Sequence, residues 1–193
     1  GETKKFAVSV LNHMREKLIG YQMEYGNLYG LEATPAESAT FRFARLDRER
    51  FSGIRTAGHE GDTPYYTNST KLPADYDGTL QGALINQDSL QPLYTTGTVF
   101  HVYMEQELED WKQARDLLWG MITEHHIPCF TLSPVYTICQ TCGYLPGRQE
   151  RCPKCNGAAD VYSRIAGYYR PVHDWNDGKA QEFRNRIMFR IGE

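Results

Sequence analysis

Residues 139–171 read CQTCGYLPGRQERCPKCNGAADVYSRIAGYYRP, and the fold of the whole chain hangs on this stretch. Cys139-Gln-Thr-Cys142 and Cys152-Pro-Lys-Cys155 are two CxxC knuckles separated by nine residues. A knuckle lets two thiolates converge on one ion from a tight turn. Gly143 and Gly157 follow the two knuckles and are expected to supply the sharp backbone. Four soft thiolates favour tetrahedral Zn²⁺ over iron and leave no open coordination position, so the site is structural rather than catalytic. A segment of roughly twenty residues cannot bury enough core to fold alone, and the metal would supply the missing folding free energy. Either CxxC alone could be a redox pair; two matched pairs argue against that.

The chain has five cysteines, and the odd count with two tight pairs points away from a secreted disulfide framework and toward metal binding in a reducing compartment. The fifth, Cys129, lies in an apolar strand context and is expected to be an inert buried thiol.

Upstream, Phe6, Val10, Leu11, Met14, Leu18 and Met23 recur at helical spacing, which predicts a helix from about Lys4 to Tyr25, ended by Gly26. Thr34-Pro35-Ala36-Glu37 reads as a helix start, with Thr34 as cap, Pro35 at the first helical position and Glu37 completing a capping box. That helix would run to about Arg50 and bury Phe41 and Ala44, with Phe43 and Leu46 as further candidates. Residues 53–95 are rich in Gly, Thr, Asp, Pro and Tyr, and predict long loops with short strands. A strand is predicted at Thr98–Tyr103, a helix from about Gln106 to Glu124, and a buried strand at Ile127–Leu132. On the helix, Leu108, Trp111, Arg115, Leu118 and Ile122 form one stripe. Helix-turn-strand order fits an α/β fold, although sequence alone does not reveal a closed barrel.

At 40% hydrophobic residues the 193-residue chain is globular, and its net charge of −3 gives no overall reason to expect nucleic-acid binding. From Cys139 onward nine Lys/Arg oppose six Asp/Glu, a mildly basic tail that would suit an anionic partner or be ordinary surface scatter. No apolar run is long enough for a membrane span, and the first five residues lack a signal peptide's apolar core. The chain begins with Gly1 rather than methionine, so processing or a longer parent protein is expected. His101, His125 and His126 are candidate proton carriers, with helix-end or core packing the plainer reading.

Directly after the knuckles comes Ser163-Arg164-Ile165-Ala166-Gly167-Tyr168-Tyr169-Arg170-Pro171. On spacing alone it is a strand, a turn at Gly167 and a stop at Pro171. Yet Arg164-Ile165-Ala166-Gly167-Tyr168 resembles the RxxGY motif of glycyl radical enzymes. Arg170-Pro171-Val172, Trp175-Asn176-Asp177-Gly178-Lys179 and Glu182-Phe183 resemble the carboxy-terminal tail of anaerobic (class III) ribonucleoside-triphosphate reductases. That family places a four-cysteine zinc site just before its radical loop. The upstream segments Leu31–Ser38, Tyr65–Thr70 and Thr95–Thr98 are similar to segments of the same family, so the resemblance covers nearly the whole chain.

The resemblance implies an α/β fold, the carboxy-terminal part of a ten-stranded α/β barrel with an inserted zinc ribbon. Residues 1–132 would belong to the barrel, 133–160 to the ribbon, and 161–193 to the radical loop and tail. Gly167 would be the catalytic residue, supported by Arg164 and Tyr168, with Zn²⁺ on Cys139, Cys142, Cys152 and Cys155. Glycine suits the role because a radical on its α carbon is delocalised over the flanking amides when that carbon flattens, and no Cβ resists the flattening. A separate activating enzyme, carrying S-adenosylmethionine and an iron–sulfur cluster, would install the radical. Gly167 would then take hydrogen from a cysteine upstream of the matched region. None of the five cysteines fits that thiyl role, so the chain is expected to be an incomplete reductase: a fragment, half of a split enzyme, or a diverged subunit.

The family setting implies a cytoplasmic, oxygen-sensitive enzyme, a homodimer when complete, that works with its upstream barrel portion on ribonucleoside triphosphates. Thr34, Ser38 and Thr40 at a helix start are candidate substrate-phosphate contacts. Two other readings compete: a zinc-ribbon module that binds nucleic acid or protein, and a glycyl radical enzyme acting on another substrate class. Neither accounts for the cysteine knuckles, RxxGY and tail together.

Overall fold

The computed structural model describes residues 1–59 and 61–191. Helix α1 (Glu2–Tyr25) ends where Gly26 turns left-handed at φ 69° and donates its N–H to Gln22 O. Of its predicted apolar face only Leu11 is buried; it packs with Leu31 and Leu90, while Phe6, Val10, Met14 and Met23 are exposed. Helix α2 (Glu37–Arg50) starts later than the capping box predicts. Ala36 occupies the cap position with no capping side chain, and Thr34 lies exposed before it. A distant residue takes over: Asn68 Oδ1 accepts the Ala36 N–H at 3.3 Å. Ala44 is the buried residue of α2, and Phe43 points to solvent.

Residues 53–95 are mostly loops, but no strands form in them among the described residues; the backbone pairing is an isolated bridge between Ala57 and Tyr65. They also contain an unpredicted helix, α3 (Leu80–Gln87), whose cap Thr79 accepts the Gly82 N–H. Strand β1 (Phe100–Met104) pairs in parallel with β2 (Phe130–Pro134), with α4 (Trp111–Glu124) in the crossover. Helix α4 begins five residues later than predicted because Asp110 caps it through the Lys112 N–H. It is also rotated from the predicted stripe. Met121 and Leu117 face the core, whereas Trp111, Trp119 and Ile122 face outward. Cys129 is exposed rather than buried, its carbonyl accepting from Phe100 N.

Ala83, Leu84, Phe100, Val102, Met104, Met121 and Ile127 form the main core. The remaining strands are β3 (Tyr136–Cys139), β4 (Gly143–Pro146), β5 (Ala159–Arg164) and β6 (Tyr169–Pro171), in an antiparallel sheet of order β4-β3-β5-β6. The expected division between 160 and 161 falls inside β5. Helix α5 (Asp177–Asn185), capped by Asn176, lays Phe183 against Val135, Ile165 and Trp175 under this sheet. The result is an α/β arrangement in which Trp175 and Phe183 cover one face of the small sheet.

Candidate functional site

The four cysteines converge. Their sulfurs lie within 4.8 Å of one another, and Cys139 Sγ is 3.6 Å from Cys155 Sγ. A tetrahedral ion with bonds of about 2.3 Å would set sulfurs about 3.8 Å apart, so the cluster has the size a metal ion needs. Left-handed residues make both knuckles possible. In the first this is Gly143, φ 79°, as the sequence suggests. In the second it is Asn156, φ 58°, and not Gly157. Gly157 serves close approach instead: a Cβ there would lie 3.3 Å from Cys155 Sγ. Backbone N–H groups of Cys155 and Lys154 pull the buried Cys152 thiol down to about 6, while its hydrogen bond with Cys155 and burial push the neighbouring Cys142 thiol up.

Strand β5 joins this cluster to the glycine loop. Its first residue, Ala159, pairs with Cys139, and its last, Arg164, pairs with Tyr169 across the loop. Ile165–Tyr168 form the hairpin tip, closed by Ile165 N donating to Tyr168 O at 3.1 Å. Ile165 is buried as the anchor, while Gly167 and Tyr168 are exposed. Gly167 has no left-handed φ, and a Cβ built on it would meet nothing within 4 Å. Neither backbone conformation nor crowding therefore requires glycine at this turn.

Arg164 reaches across the tip. Its Nη1 donates to Gly167 O at 2.9 Å, its Nε donates to Ser133 Oγ at 3.0 Å, and its guanidinium lies 4.9 Å from the Tyr169 ring centre. The Tyr168 side chain is half exposed, and the residue's part in the tip is the carbonyl that accepts from the Ile165 N–H. Ser133 continues the network to Thr131 Oγ1 at 2.9 Å and from there to His101 Nδ1 at 2.7 Å.

Gly167 also lines a cavity of about 180 Å³ together with Lys71, His101, Lys179, Glu182 and Arg186. Burial, then the nearby Lys71, Arg164 and Arg186 charges, pushes His101 down to about 3, so its ring is neutral at pH 7. Burial and the charge of Lys179 lower Lys71 to about 8. Burial alone would raise Glu182, but Lys179 at 2.6 Å and Arg186 at 2.8 Å outweigh it and hold the carboxyl below its usual 4.5. Arg186 in turn donates to Ser163 Oγ and Arg164 O and stacks 3.8 Å from the Tyr103 ring centre, clamping the end of β5.

Glu182→Gln would leave two buried cations without their counter-ion, and a loss of about 3–5 kcal/mol is expected. The folded carboxyl titrates below the unfolded one, so its stabilisation is complete above pH 4.5 and is lost as pH falls through the lowered folded value. Thermal melts of the two proteins from pH 7 to 3 should therefore converge; parallel curves would remove Glu182 from this role.

Thr34, Ser38 and Thr40 gather at the start of α2, but none of them lines the cavity, whereas the intervening Pro35 does. The Thr40 hydroxyl is engaged with Glu37 O. His125 is buried beside Asp88, and His126 is exposed. Sequence reading missed Lys71 and the Lys179–Glu182–Arg186 group. The spacing of three and four residues between the latter, along α5 and its C-cap, was the available signal.

The family model for anaerobic ribonucleoside-triphosphate reductase matches residues 1–189. Similar curated proteins include the anaerobic ribonucleoside-triphosphate reductases of Haemophilus influenzae, 24% identical over 96% of this chain and 27% of that protein, and of Enterobacteria phage T4, 25% identical over 92% and 30%. The chain thus spans less than a third of the length of these relatives. Among solved structures, an anaerobic ribonucleotide reductase superposes with TM-score 0.77 at 21% identity, covering 98% of this chain and 29% of that one. The Thermotoga maritima anaerobic ribonucleotide reductase with MES in its active site gives TM-score 0.73 at 22% identity, over 91% and 28%. Among the described residues no helix is long and apolar enough to cross a membrane.

Proposed function

We propose, from the premise that the chain belongs to the anaerobic ribonucleoside-triphosphate reductase family, that it is the glycyl-radical-bearing, carboxy-terminal part of such an enzyme. The observation that carries this is Gly167 itself: a glycine at an exposed hairpin tip, beside a cavity, in a place where the fold has no need of one. What the missing Cβ offers there is an α carbon free to flatten and share an unpaired electron with both neighbouring amides.

Residues 161–193 hold the loop, 133–160 the metal ribbon, and 1–132 the barrel portion, with upstream barrel segments completing the enzyme as a homodimer. Zn²⁺ is the ion that best suits the Cys139, Cys142, Cys152 and Cys155 thiolates, and when bound it supplies a fixed tetrahedral junction and no redox chemistry. Arg164 and Tyr168 support the loop. A separate activating enzyme with S-adenosylmethionine and an iron–sulfur cluster abstracts hydrogen from Gly167, under anaerobic conditions in the cytoplasm. Gly167 regains hydrogen from an upstream cysteine, whose thiyl radical acts on the ribose of a ribonucleoside triphosphate. The start of α2, with Thr34 just before it and Ser38 and Thr40 in its first turn, would offer the helix's leading amides and these hydroxyls to the substrate phosphates.

The test is activation of the protein with its upstream portion and activating enzyme in the absence of oxygen. A doublet in electron paramagnetic resonance is expected, followed on exposure to air by cleavage at Gly167. A zinc-ribbon binding module would give neither signal.

A further inference from the structure

The hydrogen bond from Arg164 to the Gly167 carbonyl has an electronic meaning. Loss of a hydrogen atom from the glycine α carbon leaves an electron that spreads in two directions. The amide nitrogen donates into it, and the carbonyl draws it, so the carbonyl oxygen gains negative charge as delocalisation proceeds. A cationic donor 2.9 Å from that oxygen stabilises this charge-separated form, and hydrogen bonds to charged groups are the stronger kind. We propose that Arg164 tunes the spin distribution and lifetime of the Gly167 radical through this bond. The inference rests on the glycyl radical reading above.

Three further contacts, two to the guanidinium and one to the backbone, hold Arg164 in place for this task. Its Nε is held by Ser133 Oγ at 3.0 Å, and its face lies over Tyr169 at 4.9 Å. The Arg164 carbonyl is gripped by Arg186 Nη1 at 3.3 Å. The donor is therefore in place before any radical forms, which is the condition under which a hydrogen bond stabilises developing charge without reorganisation. The step balances simply. One C–H bond of Gly167 breaks homolytically, the hydrogen atom goes to the carbon-centred radical supplied by the activating enzyme, and a new C–H bond forms there. Arg164 keeps all its protons throughout.

The experiment compares wild type, R164K and R164Q in the intact reductase with its activating enzyme, without oxygen. The wild-type doublet is the control: its absence would overturn the radical assignment and this inference with it, whereas its presence isolates the role of Arg164. In R164Q the spin should retreat to the α carbon. The doublet should widen, and the radical half-life should fall by roughly tenfold, the scale that one charged hydrogen bond sets. R164K keeps a cation within reach of the carbonyl and should hold the splitting near that of wild type, although it forfeits the Ser133 anchor. A purely scaffolding arginine would change the amount of radical but not the splitting. The proposal is overturned if both variants match wild type in splitting and lifetime, or if both fail to acquire a radical while melting and binding metal as wild type does.

Discussion

Gly167→Ala is expected to fold like wild type and to be inert. Two observations set the structural half of that result. The backbone at 167 lies outside the left-handed region, and an added Cβ would meet no atom within 4 Å. A substitution with no strain and no clash typically moves stability by less than about 0.5 kcal/mol. Replacing glycine at a compatible position can even stabilise slightly by restricting the unfolded chain. The chemical half is opposite in size. An alanine radical must bring its methyl group into the plane of both peptide units, and the flattening that spreads the spin is opposed. The activated reductase should show no doublet, no cleavage in air and no nucleotide reduction. Residual reduction near the wild-type rate would remove Gly167 from the reaction. Gly178 provides the contrast within the same chain, because a Cβ there would lie 2.7 Å from Phe41 Cβ, so that glycine is required for packing.

Cys152→Ser should cost the protein its metal and, with it, the order of the glycine loop. Cys152 is 1% exposed, and its backbone accepts the Asn156 N–H and donates to Gly157, so it is the keystone of the second knuckle. Binding of a structural zinc is worth about 10–16 kcal/mol in small domains, most of it expressed as folding. Without the ion, little else than Leu145 is buried beside the cysteines. Metal content should drop from one ion per chain to near zero, and limited proteolysis should open the chain between residues 136 and 164. The disturbance should travel along β5, which runs about 17 Å from the cluster to the loop at the usual strand rise. The doublet should therefore be diminished in proportion to metal lost. A variant that retains stoichiometric metal, or a metal-free protein with an undiminished doublet, would break this linkage.

The cluster was legible in the sequence because its information is local: two knuckles, a fixed gap, and turn residues beside them. Even so, the sharp backbone of the second knuckle falls on Asn156 rather than on the expected Gly157, since Asn tolerates the left-handed conformation and nothing in the spacing tells the two apart. Helix α4 shows a different limit. Its apolar residues occupy more than one face, and Leu117 and Met121 compete with Leu118 and Ile122 at the same spacing of four residues. Only the packing against β1 decides between them. The cap of α2 could not be read because Asn68, more than thirty residues away, supplies the contact that Thr34 would have made. Lys71, His101 and Arg186 share a cavity through tertiary folding alone, and no local pattern brings them together.

Few buried contacts hold helix α1. Across its 24 residues Leu11 alone is buried, with Lys4 and Arg15 tethered to the carbonyls of Ile85 and Leu93. Helices in proteins owe most of their stability to a covered face rather than to intrinsic propensity. The amide protons of α1 would thus exchange with solvent through brief detachment of the helix, while those of β5, flanked by β3 and β6, await a much larger opening.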